Sequence, residues 1–141
     1  MASAPGQAPS PGVGRALGSI STMVLVALIF AFIAVILQIV VISSVGYTYA
    51  VAFEQGIASP LASVAVGVTG FFLLVFLIIN VLVIRRTSNM YLAAKNGDIA
   101  ALKSLNSLGW AIVALIFTYV IPGILLLIAY GMINDLPSPQ A

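Results

Sequence analysis

The stretch RRTSNMYLAAKNGDIAALK, residues 85–103, decides the fold because it carries four of the five basic residues and separates two long uncharged runs. The uncharged runs of the chain cover residues 16–53, 55–84 and 104–134. Each run is longer than the roughly 20 apolar residues that a helix needs to cross a bilayer. We therefore predict three long hydrophobic helices, at about residues 16–55, 61–95 and 98–133.

Composition places the chain outside the range of ordinary soluble domains. Of its 141 residues, 62% are apolar and 6% are charged, whereas soluble proteins carry about 25% charged residues. Cysteine and histidine are both absent, which excludes disulfides and thiolate or imidazole metal ligands. The sequence predicts one all-α hydrophobic domain over residues 15–141, without cofactor or metal.

The first 14 residues have a different composition. MASAPGQAPSPGVG consists mainly of Pro, Gly, Ala and Ser, a composition that does not support a packed core. We expect an extended N-terminal tail over residues 1–14. Because no basic residue precedes Arg15, the first hydrophobic run is not typical of a cleaved signal peptide.

Turn signals indicate how the second and third helices are connected. Asn96 and Gly97 form a helix stop, and Asp98 is a typical N-cap for the helix that follows. The two helices should therefore form a hairpin with arms of about 35 residues, or roughly 50 Å at 1.5 Å per residue. Pro122 and Gly123 are expected to kink the third helix.

The charges are unevenly distributed between the two ends of such a bundle. With three spans, all the basic residues and Asp98 share one end, and Glu54 and Asp135 lie at the other. An excess of Lys and Arg on short loops predicts a cytoplasmic location for that end. The N-terminus is then inside and the C-terminus outside.

Small and polar residues suggest the faces through which the helices pack. In lipid, helices associate by close backbone approach along small residues and by interhelical hydrogen bonds. The predicted packing positions are Ala27, Ala31, Ala34 and Gln38 in the first helix, and Ser63, Gly67, Gly70 and Asn80 in the second. In the third helix Ala111, Ala114 and Thr118 form a narrow face. We expect Asn80 to bond another helix, because an unpaired amide in lipid is costly.

The spans contain none of the ionisable residues that pumps and proton-coupled carriers place inside the membrane. No paired carboxylates, metal-ligand cluster or phosphate loop is present, so the sequence predicts no enzymatic activity. The remaining feature is a basic surface formed by Arg85, Arg86, Lys95 and Lys103, with Arg15 nearby. It fits nucleic acid, through non-specific phosphate contacts, or anionic lipid headgroups. Positive-inside topology alone also explains it.

Three stretches together resemble a known family. The MASAPGQAPSPGVG start, the NMYLAAKNGDIAALK turn and the IPGILLLIAYGMIND end are similar to the major capsid protein of large tailed spindle-shaped archaeal viruses. The resemblance covers the whole chain as a profile. It implies helical subunits that align in strands and form a shell around DNA.

Three interpretations follow. In the first, the chain is a membrane-insertable structural subunit that self-assembles into a capsid or tail tube, with its basic face toward the genome. Its partners are then copies of itself, DNA and host membrane lipid before assembly, with no small-molecule substrate, and its location is the virion. In the second, it is a three-span accessory subunit of a membrane complex. A small channel or carrier is a third possibility.

Overall fold

The computed structural model describes residues 10–138, and every element of regular secondary structure in these residues is an α-helix. The predicted all-α class is therefore confirmed. The helices are α1 (Pro11–Glu54), α2 (Pro60–Lys95), α3 (Ile99–Leu105), α4 (Leu108–Phe117) and α5 (Val120–Asn134). By length and composition α1 and α2 could each cross a membrane, and α3 with α4 could form a third span if counted as one bent helix.

Helix α1 begins earlier than predicted. Pro11 occupies the first turn of the helix, a position where proline is tolerated because the first-turn N–H groups have no intrahelical acceptor. Residues 11–14 are therefore helical and do not belong to an extended tail. The rest of the predicted tail, residues 1–9, lies outside the described residues.

A short connection joins α1 to α2. Gly56 has a φ of +69°, a left-handed conformation that glycine adopts without steric cost. Ser59 then caps α2 by accepting a hydrogen bond from the backbone N–H of Ala62, and Pro60 follows as the first helical residue. The chain reverses here, and α2 packs back along α1.

The prediction of a single third helix over residues 98–133 is wrong. That region forms three shorter helices, α3, α4 and α5, with a bend of 58° between α3 and α4. At Asn106 and Ser107 the backbone is extended. Asn106 uses its side chain to donate hydrogen bonds to the Tyr130 carbonyl and to Asn134 Oδ1. These bonds connect the start of α4 to the end of α5.

The chain reverses direction again at Thr118 and Tyr119, after the turns at Gly56 and Gly97. Tyr119 has a φ of +73°, the only positive φ at a non-glycine residue among those described. Pro122 lies in the first turn of α5, so it starts a new helix and does not kink an existing one. Gly123 lies so close to Leu115 that an added Cβ would overlap the Leu115 backbone. Helices α4 and α5 therefore form a tight antiparallel hairpin.

Two apolar cores hold this hairpin against the long helices. The first, which we call the head core, joins the described N- and C-terminal segments to the α2–α3 turn. Its members are Leu17, Ile20, Val24, Met90, Ala93, Ala94, Leu102, Ala129, Ile133 and Leu136. The second core adjoins the first along the same helices and consists of Ala27, Val83, Ala111, Ala114 and Leu126. The described N- and C-terminal segments thus lie at the same end of the molecule.

Beyond the tip of the α4–α5 hairpin only α1 and α2 continue. We call this part, residues 39–54 and 60–72, the shaft. None of its residues is buried. The two shaft helices are joined by a hydrogen bond of 2.7 Å between the hydroxyl groups of Tyr49 and Ser63. The molecule therefore consists of a packed end, which we call the head, and an uncovered two-helix shaft.

Candidate functional site: the basic head, the polar triad and the open shaft

All five basic residues lie at the head, as the sequence predicted, but one acidic residue is placed differently. Lys103 donates a hydrogen bond to the Leu136 carbonyl, and Leu136 belongs to the head core. Asp135 therefore lies at the head, and the prediction that it shares the opposite end with Glu54 is wrong. The reason is the chain reversal at Thr118 and Tyr119, which brings the end of α5 back to the start of α4.

Two of the five basic side chains are engaged within the chain. Arg86 donates from Nε and Nη2 to the Leu105 carbonyl at 3.1 and 2.8 Å, and its guanidinium lies 5.3 Å from the centre of the Trp110 ring. Lys103 bonds the Leu136 carbonyl at 2.6 Å. Cations at carbonyl groups near helix C-termini are favourable. Arg86 and Lys103 thus fasten α3 to α2 and to the C-terminal segment.

The other three basic side chains, Arg15, Arg85 and Lys95, are exposed. Lys95 lies 5.9 Å from the ring of Tyr91, and Arg15 is on the first turns of α1. Of the five residues predicted to face nucleic acid, these three therefore present the most accessible charge. An anionic partner would meet them first.

A chain of polar side chains lies where α1, α2 and the hairpin tip meet. Thr118 donates to Asn80 Oδ1 at 2.6 Å, Asn80 Nδ2 donates to Gln38 Oε1 at 2.8 Å, and Gln38 Nε2 donates to the Leu73 carbonyl at 2.9 Å. We call Gln38, Asn80 and Thr118 the polar triad. Asn80 is 2% exposed and Gln38 is 8% exposed. The triad therefore joins three helices with hydrogen bonds away from water.

The sequence pointed to two members of the triad but not to their pairing. The sequence predicts that Asn80 bonds another helix and that Gln38 lies on the packing face of α1. Thr118 was assigned to a packing face only, since nothing in the sequence indicates that the chain reverses beside it. The signal that the sequence offers is one polar side chain far from the ends of each predicted apolar helix, among other polar residues.

The predicted small-residue faces are placed differently in the two long helices. Ala27, Ala31 and Ala34 are buried along one face of α1. By contrast, an added Cβ at Gly67 or Gly70 would meet nothing within 4 Å. Ser63 is exposed but bonds Tyr49. The α1 face is thus used within the chain, whereas the glycine face of α2 lies open.

The shaft exposes large apolar side chains on all sides. Leu61 is 80% exposed and Phe53 is 69% exposed, and many other large apolar side chains of the shaft are similarly uncovered. Such a surface is far more apolar than the surface of a monomeric soluble protein.

A cavity of about 390 Å³ lies beside the polar triad. Its walls include Gln38 and Asn80 together with Val41, Phe76, Tyr119 and Val120. The ring of Phe76 packs edge-on against Phe117 at 5.1 Å, and both rings line the cavity, which is open to the surroundings. The cavity therefore combines apolar walls with two buried amides.

The part of the chain that the structure describes contains no group of three or more His, Cys, Asp or Glu side chains that could hold a metal ion. Comparison with known proteins gives no further assignment: no family model, curated protein or solved structure matches the chain.

Proposed function

We propose that the chain is a structural subunit of a membrane complex, without enzymatic activity. Helices α1 and α2 cross the bilayer, the α4–α5 hairpin enters it from one side and returns, and the end of the head that holds the head core and the basic residues lies in the cytoplasm. The observation that carries this proposal is the charge distribution: all five basic residues lie at the head, as positive-inside topology requires.

The dimensions of the molecule support this arrangement. Residues 61–84 of α2 contain no charge and extend about 36 Å at 1.5 Å per residue. A hydrocarbon core is about 30 Å thick. The remaining length of α1 and α2 belongs to the head, which has its own core. One bilayer therefore accommodates the exposed apolar surface.

Extraction from membranes tests this proposal. The protein should stay in the membrane fraction during alkaline carbonate washing and should leave it only in detergent, because the shaft exposes many large apolar side chains. Protein that is recovered in detergent-free buffer as filaments or particles would contradict membrane residence.

A second candidate is the self-assembling coat subunit that encloses DNA. The exposure of Arg15, Arg85 and Lys95 at one end favours it, because a shell needs cations on its inner surface and apolar contacts between copies. In this case, the open shaft packs against other copies of the chain and the head meets the genome.

Neutralising the exposed basic residues tests whether the chain is a coat subunit that encloses DNA. The triple variant R15Q/R85Q/K95Q should lower the amount of nuclease-protected DNA in purified assemblies at least tenfold, because non-specific binding depends on phosphate contacts. Glu54→Gln, at the opposite end, is the matched control and should not lower it. Equal amounts of nuclease-protected DNA in the triple variant and the wild type would refute the coat function.

A further inference from the structure

We propose that the cavity beside the polar triad binds a neutral, membrane-soluble carbonyl compound, such as a quinone. The cavity volume of about 390 Å³ is within the range of small-molecule sites, which are mostly apolar with a few placed polar groups. The route by which the ligand reaches the cavity, through the lipid, is the only part of this inference that rests on the proposed membrane function.

The hydrogen-bond directions in the triad determine which groups remain free. The Leu73 carbonyl can only accept, so Gln38 must donate to it from Nε2. Gln38 Oε1 is then the acceptor for Asn80 Nδ2, and Asn80 Oδ1 is the acceptor for Thr118. Each amide nitrogen carries two N–H groups and uses one. Gln38 and Asn80 therefore each keep one N–H without an acceptor among the described residues.

Both amides line the cavity while being more than nine-tenths buried. Buried polar groups are usually paired, because an unmade hydrogen bond away from water costs free energy. A ligand oxygen within reach of these amides would accept hydrogen bonds from the remaining N–H groups. The cavity thus offers donors to a ligand that supplies an acceptor.

The backbone of the cavity wall adds a second feature. Tyr119, with φ +73° and ψ +161°, is in a conformation that costs non-glycine residues about 1–3 kcal/mol and that concentrates at functional sites. It precedes the first turn of α5, whose N–H groups have no intrahelical acceptor, and no side chain caps this turn. Val120, in this turn, also lines the cavity.

The chemistry of the lining selects the ligand class. Gln38, Asn80 and the first turn of α5 present donors, and no Lys, Arg, Asp or Glu lines the cavity. A charged ligand would lack a counter-ion in an apolar environment. A neutral carbonyl oxygen on an apolar body matches both the donors and the apolar walls. This chemistry occurs in free quinones and ketones and in the ester groups of bilayer lipids.

Quenching of tryptophan fluorescence tests the proposal. Trp110 is the only tryptophan and lies on α4, the helix that also supplies Leu115, Ile116 and Phe117 to the cavity wall. Decylubiquinone added to the full-length protein in nanodiscs should quench Trp110 saturably. Decylbenzene, which has no oxygen atom, should not displace the bound decylubiquinone.

Two matched variants locate the binding. Val41→Phe fills the cavity and should weaken quinone binding at least tenfold, whereas Val40→Phe, the adjacent residue outside the cavity lining, should leave it unchanged. Non-saturable quenching, or an equal loss in both variants, would overturn the proposal. Because binding is measured on purified protein, this result is independent of the carbonate extraction.

The lipid composition of the nanodiscs distinguishes the two sources of the carbonyl. Equal quinone affinity in diether and diester phospholipid would identify a free carbonyl compound as the ligand. At least tenfold weaker affinity in diester lipid would show that lipid esters compete for the same donors. No saturable binding in either lipid would refute the site.

Discussion

Asn80 shows how one polar residue organises an otherwise apolar molecule. Its carbonyl oxygen accepts from Thr118 on the hairpin side and its nitrogen donates to Gln38 on α1. An apolar side chain could pack against many neighbours in several registers, whereas these two bonds require one register. The triad therefore specifies how the hairpin tip docks between the long helices.

Removing one hydroxyl from the triad should destabilise the fold. Thr118→Val keeps the side-chain shape but leaves Asn80 Oδ1 without its donor, at an expected cost of about 1 kcal/mol in the free energy of unfolding. Thr48→Val is the matched control, since Thr48 bonds only its own helix, at the Ser44 carbonyl. Unfolding followed by circular dichroism in detergent should separate the two variants; equal stability would contradict the interhelical role.

Adjacent arginines should respond differently to neutralisation. Arg86→Gln removes two hydrogen bonds to the Leu105 carbonyl and the contact with Trp110, so the free energy of unfolding should fall by about 2 kcal/mol. Arg85→Gln should change it by less than about 0.5 kcal/mol, because Arg85 is exposed. A larger loss for Arg85→Gln would contradict these assignments. The same denaturation experiment measures both.

At the scale of elements, the α4–α5 hairpin is the part that sequence patterns do not reveal. Residues 104–134 form one uncharged run, and uniform apolar composition has no period that marks a reversal. The decisive features are a positive φ at Tyr119 and the close approach at Gly123. A Pro–Gly pair fits a kink as well as a helix start, so the pattern alone could not choose between them.

Glycine substitutions in α5 should have opposite effects. Gly123→Ala places a methyl group against the Leu115 backbone, so it should cost about 1–3 kcal/mol or more and separate α4 from α5. Gly131→Ala meets nothing within 4 Å and should stabilise the helix by up to about 1 kcal/mol. Thermal unfolding of both variants measures the difference. Equal changes in thermal stability for the two variants would refute the close contact between α4 and α5.

At the scale of the whole molecule, the sequence predicts the helical class, the two long helices and the clustering of basic residues. It does so because these features depend on composition and local turn chemistry, as at Ser59 and Asp98, whose side chains cap α2 and α3. The location of Asp135 depends on a tertiary reversal and was therefore predicted wrongly. The distinction between exposed and engaged cations also depends on tertiary contacts, such as that of Lys103 with Leu136.

Fusion reporters should find both termini on the same side of the membrane. The described N- and C-terminal segments meet in the head core, so a fluorescent protein fused after Ala141 should be fluorescent and alkaline phosphatase fused there should be inactive. Phosphatase inserted after Ile57, in the α1–α2 connection, should be active. An active phosphatase at the C-terminus would instead support three complete spans.

The reversal at Thr118 also has a consequence for synthesis. A ribosome completes α1 and α2 before residues 118–134 exist, so the nascent chain passes through a stage in which Gln38 and Asn80 have no hairpin beside them. In the proposed topology, residues 118–134 enter the bilayer from the side on which they are made, without carrying a polar loop across it. In that topology, the insertion machinery needs to translocate only the short α1–α2 connection.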